Sequence, residues 1–314
     1  MNVKVKGSVD VIIPVYRPDE KLEKLIEKLN IQTVRPAHIF FMQTLTGTDE
    51  DDRVRAVLET ADGCVITPVK KEDFDHGGTR NRAAARSEAE FMLFLTQDVI
   101  PRDGRLIEIL RREMQREKVA VSYGRQLPGR DVGITERYTR HFNYPAQSFV
   151  KSEKDLERLG IKTFFCSNAC AMYRRSVYQE LGGFVLHTIF NEDMIMASSV
   201  IRAGYEIAYA AEAKVEHAHH YTYRQQFSRN FDLAVSQRQY RSVFEGVRSE
   251  SEGIRLVKQT AAYLFKRGKW YLLPDLILQS GFKYMGYFLG KRYDRLPKKF
   301  VRSLSMNKGY WDKL

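Results

Sequence analysis

Cysteine is scarce, at three in 314 residues. An odd number cannot pair completely, and Cys166 and Cys170 lack the second pair a zinc site needs, so with Cys64 they read as reduced thiols of a cytosolic protein. Long apolar runs are missing too. No stretch reaches the roughly 18 to 20 uninterrupted apolar residues of a membrane span. The first apolar run is broken by Asp10, and no basic, then apolar, then small-residue pattern leads into it, which argues against a secretory leader. There is no internal repeat and no low-complexity segment. No Gly-x-Gly-x-x-Gly turn follows the first strand-like run, where the chain reads PVYRPD, and this removes a nicotinamide-dependent dehydrogenase.

What the chain has in excess is positive charge. Lys and Arg number 51 against 39 Asp and Glu, a formal net charge of +12, which favours nucleic acid, anionic lipid or a nucleotide diphosphate as partner. With 43% hydrophobic residues it can bury the core of a catalytic domain and a smaller appendage. The run Val9 to Val15, β-branched and closed by Pro14 and Val15, predicts a buried parallel strand. Leu22, Leu25, Ile26 and Leu29 recur at helical spacing after it. Strands are predicted at Ala37 to Gln43, Cys64 to Val69 and Phe91 to Leu95, with a helix from about Thr79 to Ala89 between the last two. This alternation implies a parallel α/β sheet of a nucleotide-binding domain. Ligands of such sheets sit at the carboxyl ends of strands, which directs attention to Tyr16, Arg17, Gln43, Asp75, Gln97 and Asp98. Beyond Tyr223 the pattern turns helical, rich in Arg and Tyr, and a boundary is placed near residue 225, giving parts 1–225 and 226–314.

Several segments carry chemistry. In FMLFLTQDVIPRDG, Gln97 and Asp98 directly follow a buried strand, where a carboxylate meets a divalent cation and a diphosphate; the alternative is a turn cap before Pro101. Glu192 and Asp193 stand just ahead of an apolar helix. A displacement at an anomeric carbon needs a carboxylate to take the acceptor's proton, and Asp193 is the candidate base, against a plain capping role. In EHAHH, His217 and His219 fall on one side of an extended chain and suit a metal or a diphosphate. In FDHGGTRNRAAAR, glycines precede a helix start that favours phosphate or carboxylate, and Arg80 can pair with either.

On these segments the chain resembles the inverting family 2 glycosyltransferases of the GT-A fold, and among them the bacterial rhamnosyltransferases of cell-wall and capsular polysaccharides. VDVIIPVYRP is similar to that family's first strand and nucleotide-binding turn, which brings in Pro14, Val15, Tyr16 and Arg17. FDHGGTRN resembles a rhamnosyltransferase-type second signature, LFLTQDV the Asp-x-Asp metal motif, NED the catalytic acidic motif and VEHAHHYT the late histidine. The resemblance covers about residues 8 to 240. It implies nucleobase or ribose contact for Asp75, donor binding for Gln43, Arg80, Asn81 and Gln97, metal binding for Asp98, His217 and His219, and acceptor activation by Asp193 with Glu192 beside it. It also implies a Mn2+ or Mg2+ ion, a dTDP-rhamnose donor and a lipid-linked glycan acceptor. Thr96 departs from the pattern, standing where the family usually has its first metal-motif aspartate, so the ion is expected to lean more on the donor phosphates.

Two alternatives stay in view. Near relatives use UDP-activated hexoses or N-acetylhexosamines, which fold alone does not distinguish. A basic nucleic-acid-binding protein would also explain the charge and the aromatics interleaved with cations after Tyr221. The stretch from Phe265 to Lys299 sets Trp270, Tyr271, Ile277, Tyr284, Met285 and Phe288 among Lys and Arg. It is read either as a peripheral anchor on the inner face of the cytoplasmic membrane or as a packing or homo-oligomer surface.

Overall fold

The computed structural model describes residues 7–129, 132–218, 221–247 and 250–313. Strand β1 (Val9–Val15) is followed by α1 (Lys21–Asn30), β2 (Ile39–Thr44), α2 (Glu50–Leu58), β3 (Cys64–Val69), α3 (His76–Ala84) and β4 (Phe91–Leu95), the alternation that the hydrophobic pattern predicts. Helix α3 starts at His76, ahead of the expected Thr79, because Asp75 caps it: the Gly78 N–H donates to Asp75 Oδ1 at 2.6 Å. The chain continues through β5 (Ile100–Pro101), α4 (Leu106–Glu113), β6 (Val119–Leu127), α5 (Ile134–Asn143), β7 (Phe149–Lys151), α6 (Leu156–Leu159), β8 (Cys170–Arg174), α7 (Arg175–Glu180), α8 (Glu192–Arg202) and β9 (Glu206–Glu216).

The strands form one sheet in the order β3-β2-β1-β4-β8-β6-β9-β5, with β7 also on β9. From β3 to β4 all pairings are parallel. The expectation of a parallel sheet fails beyond that point: β8 runs antiparallel to both β4 and β6. No crossover helix feeds β8 from a neighbouring parallel strand; the chain reaches it through β7 and short helical turns and enters from the opposite end. Its sequence, CAMYR, is as deeply buried as the parallel strands, so composition carried no sign of its direction. The period-two alternation of β1 splits the core, with Val11 and Ile13 packing toward α1 and α4, and Ile12 packing with Phe94, Ala83 and Val200 on the other face. Because the chain moves outward from β1 to β3 and returns to β4 on the other side of β1, a crevice forms at the carboxyl ends of β1 and β4.

The C-terminal part contains α9 (Tyr223–Gln239), α10 (Arg241–Phe244), α11 (Glu250–Lys266), α12 (Leu273–Gly290), α13 (Lys298–Leu304) and α14 (Lys308–Trp311). The division near residue 225 falls at the start of α9, yet Phe231, Val235 and Val301 share a buried cluster with Ile189, just ahead of α8. Helix α12 lies directly on α9. A Cβ at Gly286 would come within 2.2 Å of the Phe227 carbonyl oxygen, and one at Gly290 within 2.3 Å of that of Phe231, so only glycine permits this approach. A Cβ at Gly281, on the same helix, meets nothing within 4 Å. Gly286→Ala should therefore cost about 1–3 kcal/mol from overpacking, whereas Gly281→Ala should gain up to about 1 kcal/mol of helix propensity. Thermal melts of the two variants should move in opposite directions, and a common direction would remove the close-packing account.

The other face of α12 is bare. Ile277, Tyr284, Met285 and Phe288 are exposed at i, i+7, i+8 and i+11, one stripe of the helix, and Trp270, Tyr271 and Phe265 are exposed near its start. The aromatic and basic stretch thus packs along the face that carries Leu276, Gly286 and Gly290 and exposes the opposite one. Among the described residues no helix is long and apolar enough to cross a membrane.

Candidate active site

The crevice is fastened at its centre. The Tyr16 N–H donates to Gln97 Oε1 at 2.7 Å, and Gln97 Nε2 donates to the Tyr16 carbonyl at 2.9 Å, locking the turn after β1 to the turn after β4. Gln97, expected to touch the donor, has its amide engaged in positioning this turn. Arg17 follows with a left-handed φ of +43° and its guanidinium 5.5 Å from the Tyr16 ring. Val15, Tyr16, Arg17 and Gln43 line a small cleft with Thr44, Thr46 and Asp51, of about 190 Å³ including space open to solvent. Gln43 is buried and donates to the Asp51 carbonyl at 2.7 Å. Pro14 stays within β1, in register with Met42, and does not line the cleft.

The FDHGGTRN segment is engaged elsewhere than expected. Asp75 accepts from Gly78 through Oδ1 and from the His187 N–H through Oδ2 at 3.0 Å. A Cβ at Gly77 would lie 2.0 Å from the Val185 carbonyl oxygen. Asn81 accepts from the Phe184 N–H at 3.0 Å, donates to the Phe184 carbonyl at 2.8 Å and accepts from the Tyr178 hydroxyl. Arg80 is buried, donates to the His76 carbonyl at 2.8 Å and pairs with Glu192 at 3.4 Å. Four residues read as donor-binding candidates or glycine turn thus grip the segment 184–192, which delivers the acid pair. Burial and these two partners turn the Arg80 guanidinium toward His76 and Glu192, with its Nε left without a hydrogen-bond partner, and Asn81 has both ends of its amide on Phe184 and Tyr178. From the far side, Tyr310 and Tyr240 donate to the carbonyls of His187 and Leu186, both at 3.2 Å.

Within this clamp the two acids diverge. Asn191, φ +66°, turns the backbone into α8, and Glu192 and Asp193 occupy its first turn. Glu192 is buried; desolvation alone would raise its pKa, but the Arg80 guanidinium beside it holds the carboxyl below the usual range. Asp193 stays partly exposed. Burial, and next the negative charge of Glu192, push its pKa up to about 7, although its oxygens accept from the N–H groups of Asn168 at 3.2 Å and Met194 at 2.8 Å. One acid is a fixed anion and the other a proton acceptor poised near neutrality.

Asp98 and His217 meet at the turns after β4 and β9, with Asp98 Oδ2 3.3 Å from His217 Nε2. Arg140 donates to Gln126 Oε1 at 2.6 Å, which identifies that atom as oxygen, and His217 Nδ1 lies 2.8 Å from the same atom. The imidazole must therefore carry its proton on Nδ1 and present Nε2 to Asp98. Two adjacent ligands of an octahedral ion with bonds of about 2.1 Å are about 3 Å apart, so this pair fits one hard divalent cation. Among the described residues no cluster of three His, Cys, Asp or Glu forms. Thr96, in place of a second carboxylate, has a buried hydroxyl without a protein partner. His219 lies outside the described residues. Sequence reasoning passed over Gln126, Asn168, Tyr221 and Arg229, none of which stands in a recognisable pattern. The three cysteines are free thiols.

Comparison with known proteins gives consistent results. The model of "Glycosyl transferase family 2" matches residues 10–182. The O-antigen chain rhamnosyltransferase RfbN of Salmonella typhimurium is 38% identical over 312 residues, 98% of this chain and 96% of that protein. WbaN of Salmonella anatum, an O-antigen chain rhamnosyltransferase as well, is 38% identical over 314 residues with the same coverage. Among solved structures, residues 1-349 of Staphylococcus aureus TarS align with a TM-score of 0.56 at 15% identity, over 96% of this chain and 85% of that one. The Pyrobaculum calidifontis mannosyltransferase PcManGT, solved with GDP-Man and Mn2+, aligns at 0.55 and 13% identity, over 97% and 84%. At these identities the structural likeness shows a common GT-A fold.

Proposed function

The chain belongs to glycosyl transferase family 2, and from that premise we propose that it transfers L-rhamnose, with inversion, from dTDP-β-L-rhamnose to a hydroxyl of a lipid-linked glycan in bacterial polysaccharide synthesis. The observation that carries the mechanism is the split between Glu192, held ionised by Arg80, and Asp193, partly open with a pKa of about 7. The donor's nucleotide end lies in the cleft of Tyr16, Arg17 and Gln43, at the carboxyl ends of β1 and β2. Asp193 takes the proton of the acceptor hydroxyl as its oxygen bonds to the anomeric carbon, and the bond from that carbon to the diphosphate breaks on the opposite side. Glu192 does not touch the reacting atoms; with Arg80 it holds the first turn of α8 in place. Asp98 and His217 would hold Mn2+ or Mg2+ against the diphosphate, where the ion's charge offsets that of the leaving group. The rhamnosyl assignment is supported by the 38% identity to RfbN and WbaN over nearly the whole chain.

The same reading puts the protein on the inner face of the cytoplasmic membrane. Support comes from the exposed apolar stripe of α12, flanked by Lys266, Arg267, Lys269, Lys291 and Arg292, as a peripheral segment on anionic lipid would be. One assay tests donor and location together: nucleotide sugars are offered to the full chain with a lipid-linked acceptor in anionic vesicles. dTDP-rhamnose should turn over and the protein should sediment with the vesicles. Turnover of UDP-sugars alone would replace the donor, and protein left in the supernatant would remove the membrane location.

A further inference from the structure

Helix α12 also carries a cation on its α9 side. Lys283 precedes Gly286 by three residues and so shares the side turned to α9, where burial lowers its ammonium pKa. On α9, the Arg229 guanidinium sits 4.6 Å over the Phe190 ring and 5.8 Å from the Tyr221 ring. Phe190 immediately precedes Asn191, Glu192 and Asp193, while Tyr221 is close enough to Asp98 to feel its charge. Arg229 therefore lies against two rings, one leading into the acid pair and the other near Asp98. Both cations are half-buried, and among the described residues neither forms a hydrogen bond or an ion pair. The carboxylate that acts on Lys283, Glu136, is already bonded to Arg140 at 3.0 Å. Asp232, one turn along α9, also acts on Arg229, but its Oδ2 accepts from the N–H groups of Met306 and Asn307 and it forms no ion pair with the guanidinium. Two half-buried like charges from different helices that no carboxylate joins are costly, and an anion between them offsets that cost.

We propose that Arg229 and Lys283 form a cationic site between α9, α12 and the acid pair that binds a diphosphate. The guanidinium fork and the point charge of lysine together match a polyanion with several acceptor oxygens. This rests on the glycosyltransferase reading, under which two substrates carry the group: the nucleotide donor, and an acceptor whose lipid is joined through a diphosphate.

The test uses the full chain with Arg229→Gln, Lys283→Met and, as the charge-retaining variant, Arg229→Lys. Binding of dTDP and of thymidine is measured by calorimetry. Transfer is measured with a glycan on polyprenyl diphosphate and with the same glycan on an uncharged alkyl group. If the site holds the donor, the neutral variants weaken dTDP by about 10- to 100-fold, the scale of hydrogen bonds to charged groups, while thymidine is unaffected. If it holds the acceptor, KM rises by a similar factor for the diphosphate-linked glycan only. In either case Arg229→Lys retains part of the effect. Unchanged dTDP binding together with unchanged KM for both acceptors overturns the site, as does an equal loss for both acceptors without a change in dTDP binding. Absence of sugar transfer by the unmodified protein, with dTDP binding still sensitive to Arg229, sinks the enzymatic reading and leaves the diphosphate site standing.

Discussion

Asp193→Asn is expected to cut turnover by about 10²- to 10⁴-fold, the usual cost of losing a general base, with little change in donor affinity. The amide keeps the shape of the side chain and an oxygen for the Asn168 N–H, while the proton acceptor and the partner of the Met194 N–H are lost. In the unmodified enzyme kcat/KM should rise with pH along a limb near 7, because the carboxyl must be ionised to act and its pKa is raised to about 7. The variant should lose that limb. Stability provides a control with a definite sign. A carboxyl whose folded pKa exceeds its unfolded value binds more protons when folded, so it weakens the fold progressively as pH rises from the unfolded pKa to about 7. The neutral amide escapes this, and the variant should melt no lower than the parent above pH 7. Glu192→Gln behaves differently, since it leaves Arg80 buried without its ion-pair partner and should lower the melting temperature. A larger loss of turnover in a folded Glu192→Gln than in Asp193→Asn would reverse the two roles.

The second large effect belongs to Asp98. Asp98→Ala should remove nearly all transfer, at least about 10²- to 10³-fold, as expected when the charge that stabilises a leaving group is lost. His217→Ala should follow it if the two groups, with Nε2 and Oδ2 3.3 Å apart, hold one ion as proposed. Gln126→Leu should produce a smaller loss of about 10- to 100-fold by freeing the imidazole whose Nδ1–H it holds. EDTA should reproduce the Asp98 result, with recovery on added Mn2+, and Mn2+ binding in the presence of dTDP provides a readout apart from activity. Full activity in EDTA would transfer the neutralising role to side chains such as Arg229.

How much of this was legible in the sequence depended on how local the cause was. Strands β1, β2 and β4 and helix α1 declared themselves because burial on both faces, or on one helical stripe, leaves a short-range pattern. The acid pair was visible for the same reason, as polar residues at the start of an apolar helix. The direction of β8 was not, because a doubly buried strand has the same composition either way. The use made of FDHGGTRN was not legible either. Its partners lie 103 residues away for Asn81 and 112 for Asp75, and a helix start built to receive an anion reads like one built to grip another loop. Arg80 illustrates the point, since a cation at that place suits phosphate and carboxylate equally and the fold supplies Glu192. The spacing of Gly286 and Gly290, one helical turn apart, was a legible sign of close helix contact that hydrophobic patterning passes over.

Arg17, His187 and Asn191 all hold left-handed backbone, at φ +43°, +56° and +66°, and each such residue costs about 1 kcal/mol or more. All three stand where the backbone bends into the crevice or into the acid pair, and no other non-glycine residue among those described holds a positive φ. In terms of selection, these are positions at which a search for stability alone would choose glycine, and at which glycine would also free the backbone that aims Tyr16, Glu192 and Asp193. The most stable sequence for this fold and the most active one therefore differ, and the residues that separate them perform no chemistry.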